Sequence, residues 1–324
     1  MPTLRRLCLQ YALGATTFAL IHTHALAEWK PDRVVTIVVP FMAGGGGDAA
    51  ARPIATELGR LWGQPVLIDN RPGADTAIGT HKVIDSKPDG YTLLLQVPGV
   101  ALFKYQASTK DFDALAGLVP VTALSIQPPG FVVNPNVPGK NLKEVLQYCK
   151  SAAQPCSVGT LDPLSRTEVK AIAAEAGINN LIFVRYKGTG QMITDVLTNR
   201  CNIAIMGLAS TMSHYQSGAL KVMAIHSKTR ASALPEVPTG EQAGFPVFSS
   251  EIWYGLFAPK GTPPEVLEGI AAAVREAEKS DAVRKTYASM AAEPYTNTPA
   301  EFGAIVRATD QSFSDLVKRF PLDD

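Results

Sequence analysis

The chain has 324 residues, 46% of them hydrophobic and 18% charged, with a formal net charge of +1. That length favours two domains over one and supports a sizeable buried core. A charge so near zero provides no global field for nucleic acid or an acidic membrane surface, so neither is expected as a partner.

The first residues read as a targeting segment. Arg5 and Arg6 precede an apolar run over residues 13–20, and the small-residue pattern Ala25-Leu26-Ala27 follows. A basic end, an apolar middle and small residues at the first and third positions of a peptidase pocket make a secretory leader, with cleavage expected after Ala27. A membrane anchor is the alternative, but the run is shorter than the roughly 20 residues a span needs and gives way to His22 and His24. Cys8 lies too early for lipid attachment. The mature protein, from residue 28, is therefore expected to be soluble and periplasmic. Export also permits a disulfide. Cys149 and Cys156, flanking Gln154-Pro155, are the candidate bridge. Three buried free thiols, counting Cys201, are the alternative, and no pair has metal-site spacing.

Along the mature chain, residues 34–39 form a β-branched run suited to a parallel strand covered on both faces. Residues 49–62 carry apolar positions at helical spacing, with Pro53 inside, and residues 65–68 read as the next strand, which makes a βαβ unit. Strands are expected at 91–95 and 131–133, and a helix at 142–150 behind Asn141 and Glu144. Alternation continues with a strand at Ser157, a helix over about 168–176, a strand at 181–186, a helix to Leu197, and strands at 203–206 and 220–225. A Pro- and Gly-rich loop over 233–246 precedes an apolar run at 252–258. Two helix starts follow, at Thr262-Pro263-Pro264-Glu265 and Thr298-Pro299-Ala300-Glu301, each read as a hydroxyl cap followed by proline and glutamate. The class is α/β throughout.

Between the first strand and helix stands Pro40-Phe41-Met42-Ala43-Gly44-Gly45-Gly46-Gly47-Asp48. Glycines let backbone approach a ligand closely, and the unpaired N–H groups of the following helix favour an anion, so this is a candidate anion cradle. A tight turn without a ligand is the plain alternative. A dinucleotide site is the rival, with Asp69 ending the next strand near a ribose-binding position. Against it, Asp48 would set a carboxylate beside the pyrophosphate. No Gly-Lys-Ser/Thr follows, which excludes a triphosphate P-loop.

The run Val34-Val35-Thr36-Ile37-Val38-Val39-Pro40-Phe41 with the glycine loop and Asp48 is joined by Gly63-Gln64-Pro65-Val66, Asn70-Arg71-Pro72-Gly73-Ala74 and Lys87-Pro88-Asp89-Gly90-Tyr91. With Tyr186-Lys187-Gly188, Leu234-Pro235-Glu236-Val237-Pro238-Thr239 and Trp253-Tyr254-Gly255-Leu256-Phe257-Ala258-Pro259, the series resembles the tripartite tricarboxylate transporter receptor family, or Bug proteins, over essentially the whole mature chain.

That resemblance implies a two-domain, periplasmic-binding-protein-like α/β fold with an interdomain ligand cleft: residues 28–124 plus 251–324 in one domain, 125–250 in the other. It implies a monomeric binding protein without cofactor that takes a small carboxylate to membrane permease subunits. The carboxylate would be an organic acid, an aromatic acid or an acidic amino acid. The implied ligand positions are Phe41, Ala43, Gly44, Gly45, Gly46, Gly47 and Asp48 in the first loop and Thr76 and Ala77 in the second. Opposite them would stand Thr160, Ser165 and Arg166, then Tyr186, Lys187 and Gly188, then Met206 and Gly207.

Departures concern the ligand. Asp75, Thr76 and Ala77 stand where relatives commonly read Gly-Gly-Asn, and Thr160-Leu161-Asp162-Pro163-Leu164-Ser165-Arg166 replaces a looser glycine- and serine-rich loop. Arg166 either pairs with a distal ligand carboxylate or is solvated or paired with a neighbour such as Glu168. His81, His214 and His226 are far apart in sequence and lack a Gly-x-Ser-x-Gly elbow, which argues against a hydrolase. Lys187 without a companion base reads as structural before it reads as imine-forming. A sensory ligand-binding component and a cofactor-dependent enzyme using the glycine loop are the alternative functions.

Overall fold

The computed structural model describes residues 29–322 except 107, 108, 110, 187 and 249–251. The expected leader and Lys187 lie outside the described residues. The secondary structure builds two sheets, each covered by helices.

The first sheet contains β1 (Val35–Val39), β2 (Val66–Asn70), β3 (Thr92–Gln96) and β4 (Leu118–Ile126), then β10 (Trp253–Pro259) and β11 (Glu293–Pro294), in the order β11-β4-β10-β3-β1-β2. β1 runs parallel to β2 and β3, while β10 lies antiparallel between β3 and β4. The second sheet contains β5 (Pro129–Val133), β6 (Ser157–Thr160), β7 (Ile182–Arg185), β8 (Ile203–Gly207) and β9 (Lys221–Ile225), ordered β7-β6-β8-β5-β9. The chain leaves the first sheet after Ile126 and re-enters it at Trp253.

Alternation along β1 decides which helices cover which face. Val35, Ile37 and Val39 point to α1 (Gly46–Trp62), α8 (Pro264–Ala277) and α9 (Asp281–Ser289), packing with Ile54, Leu58, Ile270, Val274 and Val283. Val38 points the other way, toward α2 (Ala77–Ile84), α3 (Ala114–Gly117) and α10 (Pro299–Arg319), with Trp253, Phe257 and Phe302. In the second sheet, Phe131, Val158 and Ile203 pack on α4 (Leu142–Ser151) and α5 (Pro163–Ala176). Val132, Ala204 and Met206 face α6 (Thr189–Leu197) and α7 (Leu208–Gln216). Leu164 joins the two halves by packing on Ala101, Leu102 and Phe313.

Local signals account for most helix ends. Thr298 and Glu301 make a reciprocal capping box at α10. Asn141 accepts from the Glu144 N–H at α4. α5 begins five residues earlier than the spacing of apolar residues suggested, because Asp162 caps it by accepting from the Ser165 N–H and Pro163 takes the first helical position. The other expected cap fails: α8 starts at Pro264 behind Pro263, and the Thr262 hydroxyl donates to the Pro259 carbonyl instead. α1 continues through Pro53. Cys149 and Cys156 are disulfide-bonded, and Cys201 is a buried free thiol whose Sγ lies 3.0 Å from the Ile203 carbonyl oxygen. No helix among the described residues is long and apolar enough to cross a membrane.

Candidate functional site

A cleft of about 760 Å³ opens between the two halves, at the carboxyl ends of β1 and β3 and facing the loops after β6 and β8. Such a crevice beyond parallel strand ends is where open α/β folds bind ligands.

The glycine loop forms one wall. Asp48 is buried and accepts four hydrogen bonds: from the Gly44 N–H (2.9 Å), Arg52 Nε (2.8 Å), Arg52 Nη2 (2.8 Å) and Asn70 Nδ2 (3.0 Å). Burial alone would raise its pKa, but the bonds from Arg52, Gly44 and Asn70 outweigh that and hold the carboxyl below its ordinary range. Gly44 turns the chain at φ +78°, and the Gly45 N–H is taken by the Met42 carbonyl (3.1 Å). The N–H groups of Gly46 and Gly47, the first two of α1, have no hydrogen-bond partner among the described residues. They point to an anion position at a helix N-terminus. An added Cβ on Gly46 would stand 2.7 Å from Tyr254 Oη, so the glycine lets that ring come against the loop. Burial pushes the Tyr254 phenol up to about 12, so it stays a protonated donor at neutral pH.

Phe41, Gly45, Gly46, Gly47 and Thr76 line the cleft from the first half, and Ser165, Gly188, Met206 and Gly207 line it from the second. The other expected positions sit elsewhere. Ala43 and Gly44 are exposed outside the lining, and Asp48 is buried behind the wall, where it holds the loop. Ala77 is buried in the core, and Thr160 is buried outside the lining. Tyr186 turns away to give its hydroxyl to Asp195 (2.9 Å). Arg166 is buried and lies outside the lining. Glu168 pairs with His226, whose Nε2 lies 3.2 Å from Glu168 Oε1. Asp69, the dinucleotide rival's acid, is held by Arg71 and Lys82 outside the cleft.

Thr76 closes a turn in which Ala74, Asp75 and Thr76 all have positive φ, of 46°, 47° and 78°. Each such non-glycine residue costs on the order of 1 kcal/mol, strain that collects where a loop is held for a purpose. Gln96, fully buried, holds the turn by donating to Thr76 Oγ1 (2.9 Å) and Thr80 Oγ1 (2.8 Å).

The residues that sequence reasoning passed over are Tyr254, Gln127 and above all Glu168 with His226, all of which line the cleft. Each is isolated in sequence, so only the pairing of strands brings them together. No cluster of metal-binding type occurs among the described residues.

Residues 50–321 match the family described as the tripartite tricarboxylate transporter family receptor. The chain is 32% identical over 300 residues to Protein BugT of Bordetella pertussis, covering 90% of each protein. It is similar to the solved structure of MatC from Rhodopseudomonas palustris with bound malate, at 28% identity and a TM-score of 0.73 over 89% of this chain and 99% of that one. A second R. palustris structure, with adipate, aligns at 26% identity and a TM-score of 0.77, covering 89% and 97%. The carboxyl-end cleft, the glycine wall and the matches over most of the chain have one reading: this chain belongs to the tripartite tricarboxylate transporter receptor family.

Proposed function

We propose that the protein is an exported solute-binding protein that captures a small carboxylate in the cleft and delivers it to the membrane subunits of a tripartite transporter. The observation that carries the reading is the pair of unengaged N–H groups at Gly46 and Gly47, set in a cleft with walls from both sheets. Relatives with malate and adipate support the ligand class. Residues 28–124 with 251–324 and residues 125–250 act as two lobes that close on the ligand, since a ligand touching both gains contacts only in the closed state. Binding and release suffice for this role, and it calls for no catalytic group.

Calorimetry against malate, adipate, aromatic acids and acidic amino acids should find at least one ligand, and small-angle scattering should show compaction when it saturates. A panel without binding, or binding without compaction, overturns the proposal. A second test addresses the wall. Gly46→Val forces a branched side chain onto Tyr254 Oη, and is expected to weaken the best ligand at least about tenfold. Unchanged affinity in a folded variant would remove the glycine wall from the site.

A further inference from the structure

A second cavity, of about 660 Å³, lies where the two halves meet and shares no lining residue with the ligand cleft. That volume falls within the roughly 300–1,000 Å³ of small-molecule sites. Ser232 and Ala233 bring the second half to it, and the Ser232 N–H donates to Glu293 Oε1 of the first half (3.1 Å). Ala288, Ala291 and Ala292 make part of its lining apolar. Ala291 stands at φ +49°, a left-handed angle that a non-glycine residue keeps only where its surroundings hold it.

The described lining includes the cations Arg275, Lys279 and Arg284. Lys279 is taken by Glu276 (2.7 Å), but the exposed guanidinium groups of Arg275 and Arg284 form no ion pair among the described residues. Helix electrostatics covers part of this, since cations suit a carbonyl end and Arg275 and Lys279 stand at the end of α8. It covers neither Arg284, which lies within α9, nor Glu278, an acid at that same carbonyl end. Glu278 is only 7% exposed and lines the cavity; Oε2 accepts from Thr296 Oγ1 (2.7 Å), while Oε1 is buried without a hydrogen-bond partner among the described residues. A buried polar atom left unpaired costs free energy that nothing inside the fold recovers. Burial raises the pKa of this carboxyl to about 7, so near neutrality it can carry a proton and donate. Two guanidinium groups and a carboxylic O–H are all donors, and what they have in common is the need for an acceptor.

We infer that this cavity is a second binding site, for a small organic oxyanion on a short aliphatic chain, held by the guanidinium groups of Arg275 and Arg284 and the carboxyl of Glu278. The oxyanion accepts from these three groups, a geometry that guanidinium forks suit, and the aliphatic part packs on the alanines. The site does not depend on what the cleft binds. Ionised Glu278 opposes an anion, so occupancy falls as pH rises through about 7. The charged and titratable groups around Glu278 are Arg275 and Lys279 at its own helix end, Arg284 and Tyr287 of α9, and Glu293 of β11, with Glu301 of α10 acting on Arg275.

The test is an NMR titration of the full mature protein, labelled at its alanine methyl groups, with butanesulfonate, which stays ionised at every pH used. Ala233, Ala288, Ala291 and Ala292 report this cavity, and Ala209 reports the cleft. Saturable shifts of the four cavity alanines are expected at pH 6, with binding at least about threefold weaker at pH 8. Replacing both arginines, Arg275→Gln with Arg284→Gln, should weaken binding at pH 6 by at least about tenfold. Glu278→Gln should bind at pH 8 as tightly as the parent does at pH 6, because the amide donates and never ionises. Cavity alanines that do not shift, a response confined to Ala209, or an affinity unmoved by the arginine pair or by Glu278→Gln overturns the inference. Should a variant not fold, the alanine shifts and their pH dependence in the unmodified protein decide alone.

Discussion

Asp48→Ala should lower the free energy of unfolding by about 3 kcal/mol and weaken ligand binding with it. Four donors converge on this buried carboxylate, and hydrogen bonds to a charged group contribute about 1.5–3 kcal/mol each when desolvated. The sum is smaller than four times that, because Arg52 is half exposed and recovers water when its partner goes. Alanine frees the Gly44 N–H and removes one of the two acceptors of the Asn70 amide, so the turn that orients Gly46 and Gly47 keeps only the bond from Asn70 Nδ2 to the Phe41 carbonyl (3.2 Å) as its side-chain tether to β2. Asp48 has a depressed pKa when folded, so its contribution is present above the ordinary aspartate value and fades as pH falls through the lowered one. Urea unfolding at neutral pH should therefore separate the variant from the parent, and the gap should narrow below about pH 4. A gap under about 0.5 kcal/mol at neutral pH would mean that the network does not hold the loop.

The same aspartate shows what the sequence carried and what it hid. The strand, glycine loop and helix were legible because β-branched runs and glycines at a strand-to-helix turn are local signals, and β1, α1 and β2 form where the pattern put them. The phase of four consecutive glycines was not legible. The left-handed angle falls at Gly44, whereas Gly46 is needed to make room for Tyr254, a residue of β10 that the sequence places far away. β4, with nine residues the longest strand, escaped notice because Pro120 interrupts its apolar run, and a proline ordinarily demotes a strand. The structure accommodates it with register shifts against β10. Glu168 and His226 were unreadable as a pair for a simpler reason: they meet only because α5 and the end of β9 face the same crevice.

Glu278→Gln should change stability in the opposite direction from Asp48→Ala, by an amount that grows as pH rises from about 4.5 to about 7 and levels off above it. Glu278 caps the end of α8, where Oε2 accepts from Thr296 Oγ1 (2.7 Å) and Oε1 is buried without a hydrogen-bond partner among the described residues. Burial raises its pKa to about 7 from 4.5, against the opposing pull of hydrogen bonds from Thr296 and Tyr295 and the charge of Arg275. The carbonyl end of a helix also disfavours a negative charge. A folded pKa above the unfolded one means that the native state holds the proton more tightly. Its contribution is full below about 4.5 and lost as pH rises through about 7. Above that point the native state carries a buried charge costing on the order of 3 kcal/mol. Glutamine keeps the shape and the bond from Thr296 but never ionises, and its own buried amide N–H groups cost about 1 kcal/mol if unpaired. A net gain of about 2 kcal/mol at pH 8 is therefore expected, with little or no gain near pH 4.5. The side chain lines a second cavity, with Arg275, Lys279 and Arg284, where Ser232 of the second half donates its N–H to Glu293 of the first (3.1 Å). Urea midpoints measured from pH 4.5 to 8 decide it: parent and variant curves that stay parallel would show that Glu278 is already ionised and compensated in the folded protein.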